Sequence, residues 1–194
     1  MKYRETSFGG ILLELEFGNI AINGGGRLSD MEDEYIVDGN IPVMMIVTCE
    51  HHHRSHNVDR FCLKHNVPLY ATYLCGDRLS LEGVDTTYLG VPDNKFFLKY
   101  CFEISLVPVF YDSVEPFYLT VRDTENTLGI VCDGKIFPKL NKELLDCDTV
   151  LLGNKLDIPA NAPTALVRRL KSVYNTQEEL NEIFKDYPGE LCYI

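Results

Sequence analysis

Four of the chain's five histidines lie in six consecutive residues, which we call the histidine segment: His51-His52-His53-Arg54-Ser55-His56. Neutral imidazole is the commonest protein ligand for zinc and related ions. The segment follows the apolar residues 43–47, so it is predicted to lie where a buried strand ends. A strand end followed by a turn can direct alternate side chains at one point, whereas residues two apart on a helix face different sides. The first hypothesis is therefore a metal site.

The elements that must position this segment form one α/β layer. Residues 43–47 are five consecutive apolar residues, which is typical of a strand buried on both faces. Ser55 lies where a helix N-cap is expected, and the helix is predicted to run to Lys64 or His65. Residues 68–72 form the next predicted strand. This strand–helix–strand order is typical of one layer of an α/β sandwich.

Before this layer, the sequence predicts a hairpin and a tight loop. Residues 8–16 and 19–23 are predicted strands that are joined at Phe17-Gly18-Asn19. Gly24-Gly25-Gly26 marks a sharp loop that only residues without a Cβ atom fit. The loop lacks the glycine spacing of a nucleotide-binding turn. The acidic residues 30–34 are interpreted as a solvated loop or a short helix, and not as a metal cluster.

After this layer, the sequence predicts strands separated by turns and then helices. Strands are predicted at residues 86–89, 102–109, 117–122, 128–132 and 149–152, with turns at 91–94 and 123–126. Helices are predicted at residues 139–145, 165–173 and 177–184, and Asn175 and Thr176 are candidate caps of the last helix. Two sheets packed face to face with helices outside fit this order. We therefore predict a four-layer αββα sandwich in a single domain of residues 1–194.

The amino-acid composition indicates in which cellular compartment the protein is expected and which partners it is expected to bind. A net charge of −11 argues against long nucleic acids, whose binding depends on Lys and Arg, and leaves a small anionic substrate or ligand. No apolar run is long enough to span a bilayer, and no signal-peptide core follows the first residues. The seven cysteines are odd in number and form no C-x-x-C pair, which favours buried free thiols. We expect a cytoplasmic protein without a membrane segment.

The histidine segment, taken with its flanks, resembles the metallo-β-lactamase superfamily, most closely its short phosphodiesterase- and nuclease-like members. Those proteins carry H-x-H-x-D-H directly after a buried strand, and the segment matches this motif except that Ser55 replaces the aspartate. Ile20-Ala21-Ile22-Asn23-Gly24-Gly25 stands in for the family's early aspartate-glycine loop. The similarity continues in order through these stretches: Leu63-Lys64-His65-Asn66-Val67-Pro68-Leu69-Tyr70-Ala71-Thr72, Pro108-Val109-Phe110-Tyr111-Asp112-Ser113, Leu128-Gly129-Ile130-Val131-Cys132-Asp133 and Val150-Leu151-Leu152-Gly153-Asn154.

The resemblance implies a set of metal ligands that this chain carries only in part. In the family, two motif histidines and a later histidine hold one metal. The motif's aspartate, its last histidine and a C-terminal histidine hold the second, and a carboxylate bridges both. Here Tyr111 replaces the later histidine, and the C-terminal part of the chain has no histidine. The implied metal set is His51, His53, His56 and Asp133, for at most one ion, with zinc expected and manganese or iron as alternatives.

Three hypotheses of function follow. In the first, the chain is a mono-metal hydrolase of a phosphodiester or similar small anion, and His56, Asp112 and Tyr111 stabilise or protonate the leaving group. In the second, it is a catalytically inactive member of the fold that binds no metal and serves as a ligand-binding or protein-interaction module. In the third, the histidines form a polar turn unrelated to any site.

Other polar groups near these residues have plainer interpretations. His52 and His65 are not predicted as ligands, and Arg54 is interpreted as a solvated side chain. Cys49 is interpreted as a buried thiol and not as a soft metal ligand. Exposed tyrosines and short strands are compatible with a homodimer.

Overall fold

The computed structural model describes residues 1–79, 81–90, 102–137, 142–153, 158 and 161–194, together with the backbone of residues 95–98. The predicted turn at 91–94, Cys101, residues 139–141 of a predicted helix and Asn154 lie outside the described residues. The chain divides into two compact units. The first contains Met1–Val91 and Ser113–Glu115, and the second contains Pro92–Asp112 and Pro116–Ile194. The single-domain assignment stays a prediction.

The first unit is built on a six-stranded mixed sheet whose strands are adjacent in chain order. The first three strands pair antiparallel, and the remaining pairs are parallel. The strands are Lys2–Glu5 (β1), Ile11–Leu15 (β2), Gly18–Ile22 (β3), Met44–Ile46 (β4), Leu69–Thr72 (β5) and Thr86–Leu89 (β6). The helices are Leu28–Tyr35 (α1), His52–Ser55 (α2), Val58–His65 (α3) and Tyr73–Leu79 (α4).

The core of the first unit joins its helices to the sheet. Met31 and Tyr35 of α1, Phe61 of α3 and Met45 of β4 are all fully buried in one cluster. The Tyr35 hydroxyl lies 2.7 Å from the carbonyl oxygen of Asn23, so the aromatic ring is buried while its polar end is satisfied. This contact fixes α1 against the end of β3, immediately before the glycine loop.

The second unit is built on another six-stranded mixed sheet, in the order β12-β11-β10-β9-β8-β7. The strands β7 to β10 pair antiparallel, and β10, β11 and β12 are parallel. The strands are Lys95–Leu98 (β7), Phe102–Pro108 (β8), Phe117–Arg122 (β9), Thr127–Val131 (β10), Thr149–Leu152 (β11) and Glu190–Tyr193 (β12). The helices are Lys142–Leu145 (α5), Thr164–Val173 (α6) and Gln177–Ile183 (α7).

The second unit has its own core, in which Leu180 of α7 packs with Val131 of β10 and Val150 of β11. The start of α7 is fixed by a capping box. The Thr176 hydroxyl accepts from the Glu179 backbone N–H, and the Glu179 carboxylate accepts from the Thr176 backbone N–H. These two bonds satisfy N–H groups that the first turn of a helix leaves without partners. The predicted cap at Thr176 is confirmed.

Most predicted elements are confirmed within a few residues at their ends, and the acidic residues 30–34 form the helix α1. The sequence does not predict the strands β1, β7 and β12 or the helices α2 and α4. The four residues of β1 are all exposed, so this edge strand has no alternation of buried and exposed side chains from which it could be predicted. Its pairing with β2 defines it.

Two further expectations concern thiols and membranes. Among the described cysteines, Cys49, Cys62, Cys75, Cys132 and Cys147 are buried free thiols, and Cys192 is a partly buried one. Burial raises the pKa of Cys62 to about 12, which favours the unreactive thiol. Within the part of the chain that the structure describes, no helix has the length and apolar character needed to cross a bilayer.

Candidate functional site

The glycine loop and the histidine segment lie backbone against backbone in the first unit. The Gly24 N–H donates to the Arg54 carbonyl at 2.5 Å, and the Gly25 N–H donates to the His56 carbonyl at 3.1 Å. Gly25 has φ +104°, and a Cβ atom on it would lie 2.1 Å from the carbonyl oxygen of His53. Only glycine tolerates this conformation and this approach, so the prediction of a loop without side chains is confirmed.

The loop begins with a polar connection between two strand ends. Asn23, which follows β3, is fully buried, and its side-chain oxygen accepts from the Thr48 backbone N–H at 2.9 Å and lies 3.0 Å from the Thr48 hydroxyl. The Asn23 N–H donates to the Ile46 carbonyl at 2.7 Å. These bonds fix the end of β4, from which the histidine segment starts.

The predicted helix cap at Ser55 is wrong. Residues from His52 to Ser55 already form the helical turn α2, and α3 begins only at Val58, after Asn57 in the left-handed conformation. Because Ser55 is the last residue of α2, its hydroxyl faces the preceding turn and lies 3.0 Å from the carbonyl oxygens of both Glu50 and His51. The residues after β4, which the sequence predicts to form a turn, therefore form the short helix α2.

The helical turn separates the four imidazoles into two pairs. The rings of His51 and His53 have their centroids 5.8 Å apart at an interplanar angle of 40°. The rings of His52 and His56 are stacked, with centroids 4.2 Å apart and an angle of 25°. His51 is partly buried, whereas the other three histidines are exposed. The predicted ligand His56 is thus paired with His52, and not with His51 or His53.

Glu50 is a site residue that the sequence reading missed. Its carboxylate accepts hydrogen bonds from the Ser113 hydroxyl and from the Val114 backbone N–H, the latter at 3.2 Å. The same carboxylate lies 4.0 Å from Nε2 of His51. Glu50 therefore connects the start of the histidine segment to residues 113–115. Its signal in the sequence is only its place directly before the first histidine.

Arg54 is buried, so its interpretation as a solvated side chain is wrong. Only 8 % of the residue is exposed, and its Nη1 donates to the carbonyl oxygen of Gly9. The guanidinium connects the histidine segment to the turn between β1 and β2. A buried cation needs such acceptors because the cost of removing it from water is large.

In the second unit, Asp133 lies just beyond β10 in contact with a phenol. Its Oδ1 accepts a hydrogen bond from the Tyr174 hydroxyl at 3.2 Å. The Tyr174 hydroxyl also lies 2.8 Å from the Tyr111 hydroxyl. We call these three residues the tyrosine–aspartate trio. Asp133 is 7 % exposed and both tyrosines are partly buried. Tyr174 was not predicted as a site residue.

Tyr174 is held in place by the residue that follows it. Asn175 is 1 % exposed, and its side-chain amide pairs with the backbone of Ile136. The Ile136 N–H donates to Oδ1 of Asn175 at 2.7 Å, and Nδ2 of Asn175 donates to the Ile136 carbonyl at 3.1 Å. This pair of hydrogen bonds joins the end of α6 to the segment after Asp133. Asn175 is therefore a positioning residue and not the cap of α7.

Asp112, a predicted catalytic residue, is engaged in an ion pair. Nε and Nη2 of Arg169 both lie 2.5 Å from Oδ2 of Asp112. The hydrogen bond to Asp112 raises the pKa of Arg169, and Tyr111 and Tyr174 raise it further, so both phenols lie within electrostatic reach of the guanidinium. Asp112 thus orients an arginine of α6 beside the trio.

The second unit contains a groove of about 460 Å³. It is lined by Lys135, Ile136, Phe137, Asn175, Glu179, Glu182 and Ile183. Pockets for small organic ligands span roughly 300–1,000 Å³. Lys135 and Glu179 form an ion pair of 2.9 Å in the groove. The groove has the size of a small-ligand site.

The predicted metal donors are divided between the two units. A catalytic zinc usually has three protein ligands. Within the described residues, no group of three or more His, Cys, Asp and Glu side chains could hold a metal ion. Each unit alone therefore lacks the donors of a catalytic zinc among its described residues. The assignment of His51, His53, His56 and Asp133 as one metal set stays a prediction, because the histidines lie in the first unit and Asp133 in the second.

Comparisons with known proteins establish the fold. No family model matches the sequence, and no curated protein matches it either. Among solved structures, the short form of human tRNase Z superposes with a TM-score of 0.70 at 14% identity, over 100% of this chain and 86% of that one. A diphosphatase of the PhnP family gives a TM-score of 0.66 at 14% identity, over 95% of this chain and 70% of that one.

A third solved structure is itself described as a metallo-β-lactamase fold protein. The metallo-β-lactamase fold protein YhfI from Bacillus subtilis gives a TM-score of 0.65 at 12% identity, over 98% of this chain and 89% of that one. At these identities the likeness shows the fold alone. The chain has the metallo-β-lactamase fold, and the predicted α/β class is confirmed.

Proposed function

We propose that this chain is a metallo-β-lactamase-fold protein that does not carry out zinc-dependent hydrolysis and instead binds a small anionic ligand. The observation that carries the proposal is the trio, in which Tyr174 is hydrogen-bonded to both Tyr111 and Asp133. The resemblance places a histidine where Tyr111 stands. A phenol titrates near pKa ~10 and is a poor zinc ligand at neutral pH.

The other predicted catalytic groups support the same conclusion. Asp112 is paired with Arg169, and His56 is stacked on His52. A general acid must be within hydrogen-bonding reach of the group that it protonates. Two of the three residues assigned to this role, Asp112 and Tyr111, are instead hydrogen-bonded to neighbours in the second unit.

One observation supports a small anionic ligand. The histidine segment offers exposed imidazole groups, which donate hydrogen bonds to oxyanions. The groove in the second unit has the volume of a small-ligand site, but its lining contains two glutamates and one lysine, so it supports the size of a ligand and not its negative charge. The net charge of −11 disfavours long nucleic acids, because the phosphate backbone would be repelled.

A second candidate is the mono-metal hydrolase, which the His51–His53 pair favours. Two imidazoles with centroids 5.8 Å apart can both approach one ion. In this alternative His51 and His53 would hold zinc together with Asp133, and a bound zinc lowers the pKa of its water to about 7. His56 would then act as the proton acceptor or donor.

Metal content, hydrolysis and anion binding distinguish these two functions. The full chain is purified after growth with added zinc and manganese, analysed for metal, and assayed with bis-p-nitrophenyl phosphate. Inorganic phosphate and AMP are titrated by calorimetry. We expect far less than one zinc or manganese per chain, no hydrolysis, and saturable binding of at least one anion. Stoichiometric zinc with turnover that is lost in His51→Ala would establish the hydrolase instead.

Variants then locate the anion. The double variant His51→Ala/His53→Ala tests the histidine segment. Its control is His65→Ala, which removes a partly buried histidine of α3 outside that segment. Lys135→Met tests the groove, with the exposed Lys185→Met as its control. A tenfold or greater loss of affinity in one test variant, with both controls unchanged, identifies the binding region. Absence of binding to any anion in the folded wild type would refute the proposal.

A further inference from the structure

The lining of the groove in the second unit carries more negative than positive charge. It contains two carboxylates, from Glu179 and Glu182, and one ammonium group, from Lys135. Carboxylates and ammonium groups are ionised at neutral pH, and Lys135 is paired with Glu179 across 2.9 Å. The carboxylate of Glu182 therefore supplies the net negative charge of the groove. A ligand with a positive charge would complement it.

Glu182 is the carboxylate of the groove that a ligand can reach. Both oxygens of Glu179 are engaged, since Oε1 accepts from Nζ of Lys135 at 2.9 Å and Oε2 accepts from the Thr176 backbone N–H at 2.9 Å. Glu182 lies three residues after Glu179 on the same side of α7, and it is exposed. An ammonium group can thus approach Glu182 without breaking the capping box or the Lys135–Glu179 pair.

Apolar side chains form another part of the lining. Ile136 and Ile183 contribute aliphatic surface, and Phe137 contributes an aromatic ring that is 37 % exposed. The ring of Phe137 packs edge to face with that of Phe110, with centroids 6.1 Å apart at an interplanar angle of 79°. Phe110 is 57 % exposed as well. Exposed aromatic rings pack favourably against other rings, and their faces attract cations.

Backbone hydrogen bonds hold this surface in place without a ligand. The Lys135 N–H donates to the Phe110 carbonyl at 2.7 Å, which places the two aromatic residues on adjacent segments. Asn175 fixes the intervening Ile136 through two hydrogen bonds. A preorganised site loses little conformational entropy on binding.

The extent of this surface fits a small molecule better than a protein. A protein–protein interface buries roughly 800 Å² on each partner. An aromatic side chain supplies only roughly 150–250 Å², so the exposed parts of Phe110 and Phe137 fall well short of that area. The groove volume of about 460 Å³ lies in the range of small-ligand sites.

We propose that the groove binds a small aromatic amine, whose ring packs on Phe137 and Ile183 and whose ammonium group pairs with Glu182. This ligand is a second one. Its binding does not rest on the anion proposed above, and it gives the groove a function that the histidine segment does not supply.

Tryptamine is a suitable probe because the chain contains no tryptophan, so indole fluorescence can be excited at a wavelength that tyrosine does not absorb. The full chain is titrated into tryptamine, tryptophol and indole-3-propionate. These probes share the ring and its two-carbon linker, and they carry a positive charge, no charge and a negative charge, respectively. We expect saturable binding of one tryptamine per chain, with tryptophol about three- to fivefold weaker, as for one partly exposed ion pair. Indole-3-propionate should bind more weakly still.

Variants locate the bound probe. Glu182→Gln should weaken tryptamine binding about three- to fivefold and leave tryptophol binding unchanged, because the amide keeps the size of the side chain and removes its charge. Phe137→Ala should weaken the binding of both probes. Glu178→Gln is the matched control, because the described lining of the groove does not include this exposed glutamate of α7.

Three results would overturn the proposal. The first is the absence of saturable tryptamine binding to the folded wild type. The second is binding of indole-3-propionate as tight as that of tryptamine. The third is tryptamine binding that neither Glu182→Gln nor Phe137→Ala weakens, which would place the probe outside the groove. Failure of phosphate and AMP to bind would refute the proposed anionic ligand alone.

Discussion

The hydroxyl of Tyr174 donates a hydrogen bond to Asp133 across 3.2 Å, from the end of helix α6 to the end of strand β10. Asp133 is 7 % exposed, so its carboxylate depends on protein donors as well as on water. The sequence resemblance predicts a bridging metal ligand at Asp133 and replaces a histidine ligand by Tyr111, and both predictions remain untested. The structure connects these two residues through the Tyr174 hydroxyl. The order of the chain places these residues far apart, and the second unit brings them together.

Replacing Tyr174 by phenylalanine should destabilise the protein by about 1–2 kcal/mol, because a hydrogen bond to a partly buried carboxylate is lost while the ring is kept. Chemical denaturation of the variant and the wild type measures this difference. Tyr193→Phe, which removes a more exposed phenol from β12, should change stability by no more than about 0.5 kcal/mol. Equal losses in the two variants would show that the Tyr174 bond has no special contribution.

Replacing Gly25 by alanine should destabilise the first unit by at least about 3 kcal/mol, because the new Cβ atom would overlap the His53 carbonyl. Gly39→Ala is the matched control. Gly39 also has a positive φ, +77°, but a Cβ atom there meets nothing within 4 Å, so the loss should be only about 1–2 kcal/mol of backbone strain. Thermal and urea unfolding measure both. Similar losses would mean that φ, and not the close approach, makes glycine necessary at position 25.

Replacing Arg54 by methionine should cost about 2–3 kcal/mol of stability, because the Gly9 carbonyl loses a charged donor and the histidine segment loses its connection to the β1–β2 turn. Arg60→Met on the exposed side of α3 should change stability by no more than about 0.5 kcal/mol. Urea unfolding measures both variants. A stable Arg54→Met protein would show that apolar packing at this position compensates for the lost bond.

The Lys135–Glu179 pair should make stability depend on pH in the acidic range. The hydrogen bond from Lys135 lowers the pKa of Glu179 from its ordinary value of 4.5 in the folded chain. The pair therefore stabilises the fold above that ordinary value, and the stabilisation is lost as the pH falls through the lowered folded pKa. The effect is modest because 42% of the Glu179 side chain is exposed.

Unfolding of wild type and Glu179→Gln at several pH values tests this dependence. The stability difference between the two proteins should be largest near neutral pH and should shrink towards pH 3. Glu178→Gln, an exposed neighbour in the same turn of α7, is the control. A difference that grows on acidification would contradict the assigned direction of the pKa shift.

The sequence by itself determined those structural elements that depend on interactions between residues close together in the chain. The apolar run before the histidine segment, the Thr176 cap of α7 and the glycine loop were readable because propensity, capping and conformational freedom act over a few residues. The order of these elements, together with the resemblance, was also sufficient to identify the fold, which the structural comparisons confirm.

The tertiary structure decided which polar groups meet. Glu50 with Ser113, Arg54 with Gly9, and Tyr174 with Asp133 are pairs between 41 and 63 residues apart, and no periodicity encodes them. The helical turn α2 also paired His56 with His52, where the sequence reading expected a turn that directs alternate histidines at one point. A residue type names the chemistry that a side chain can perform, but its partners follow from strand pairing and packing over the whole unit.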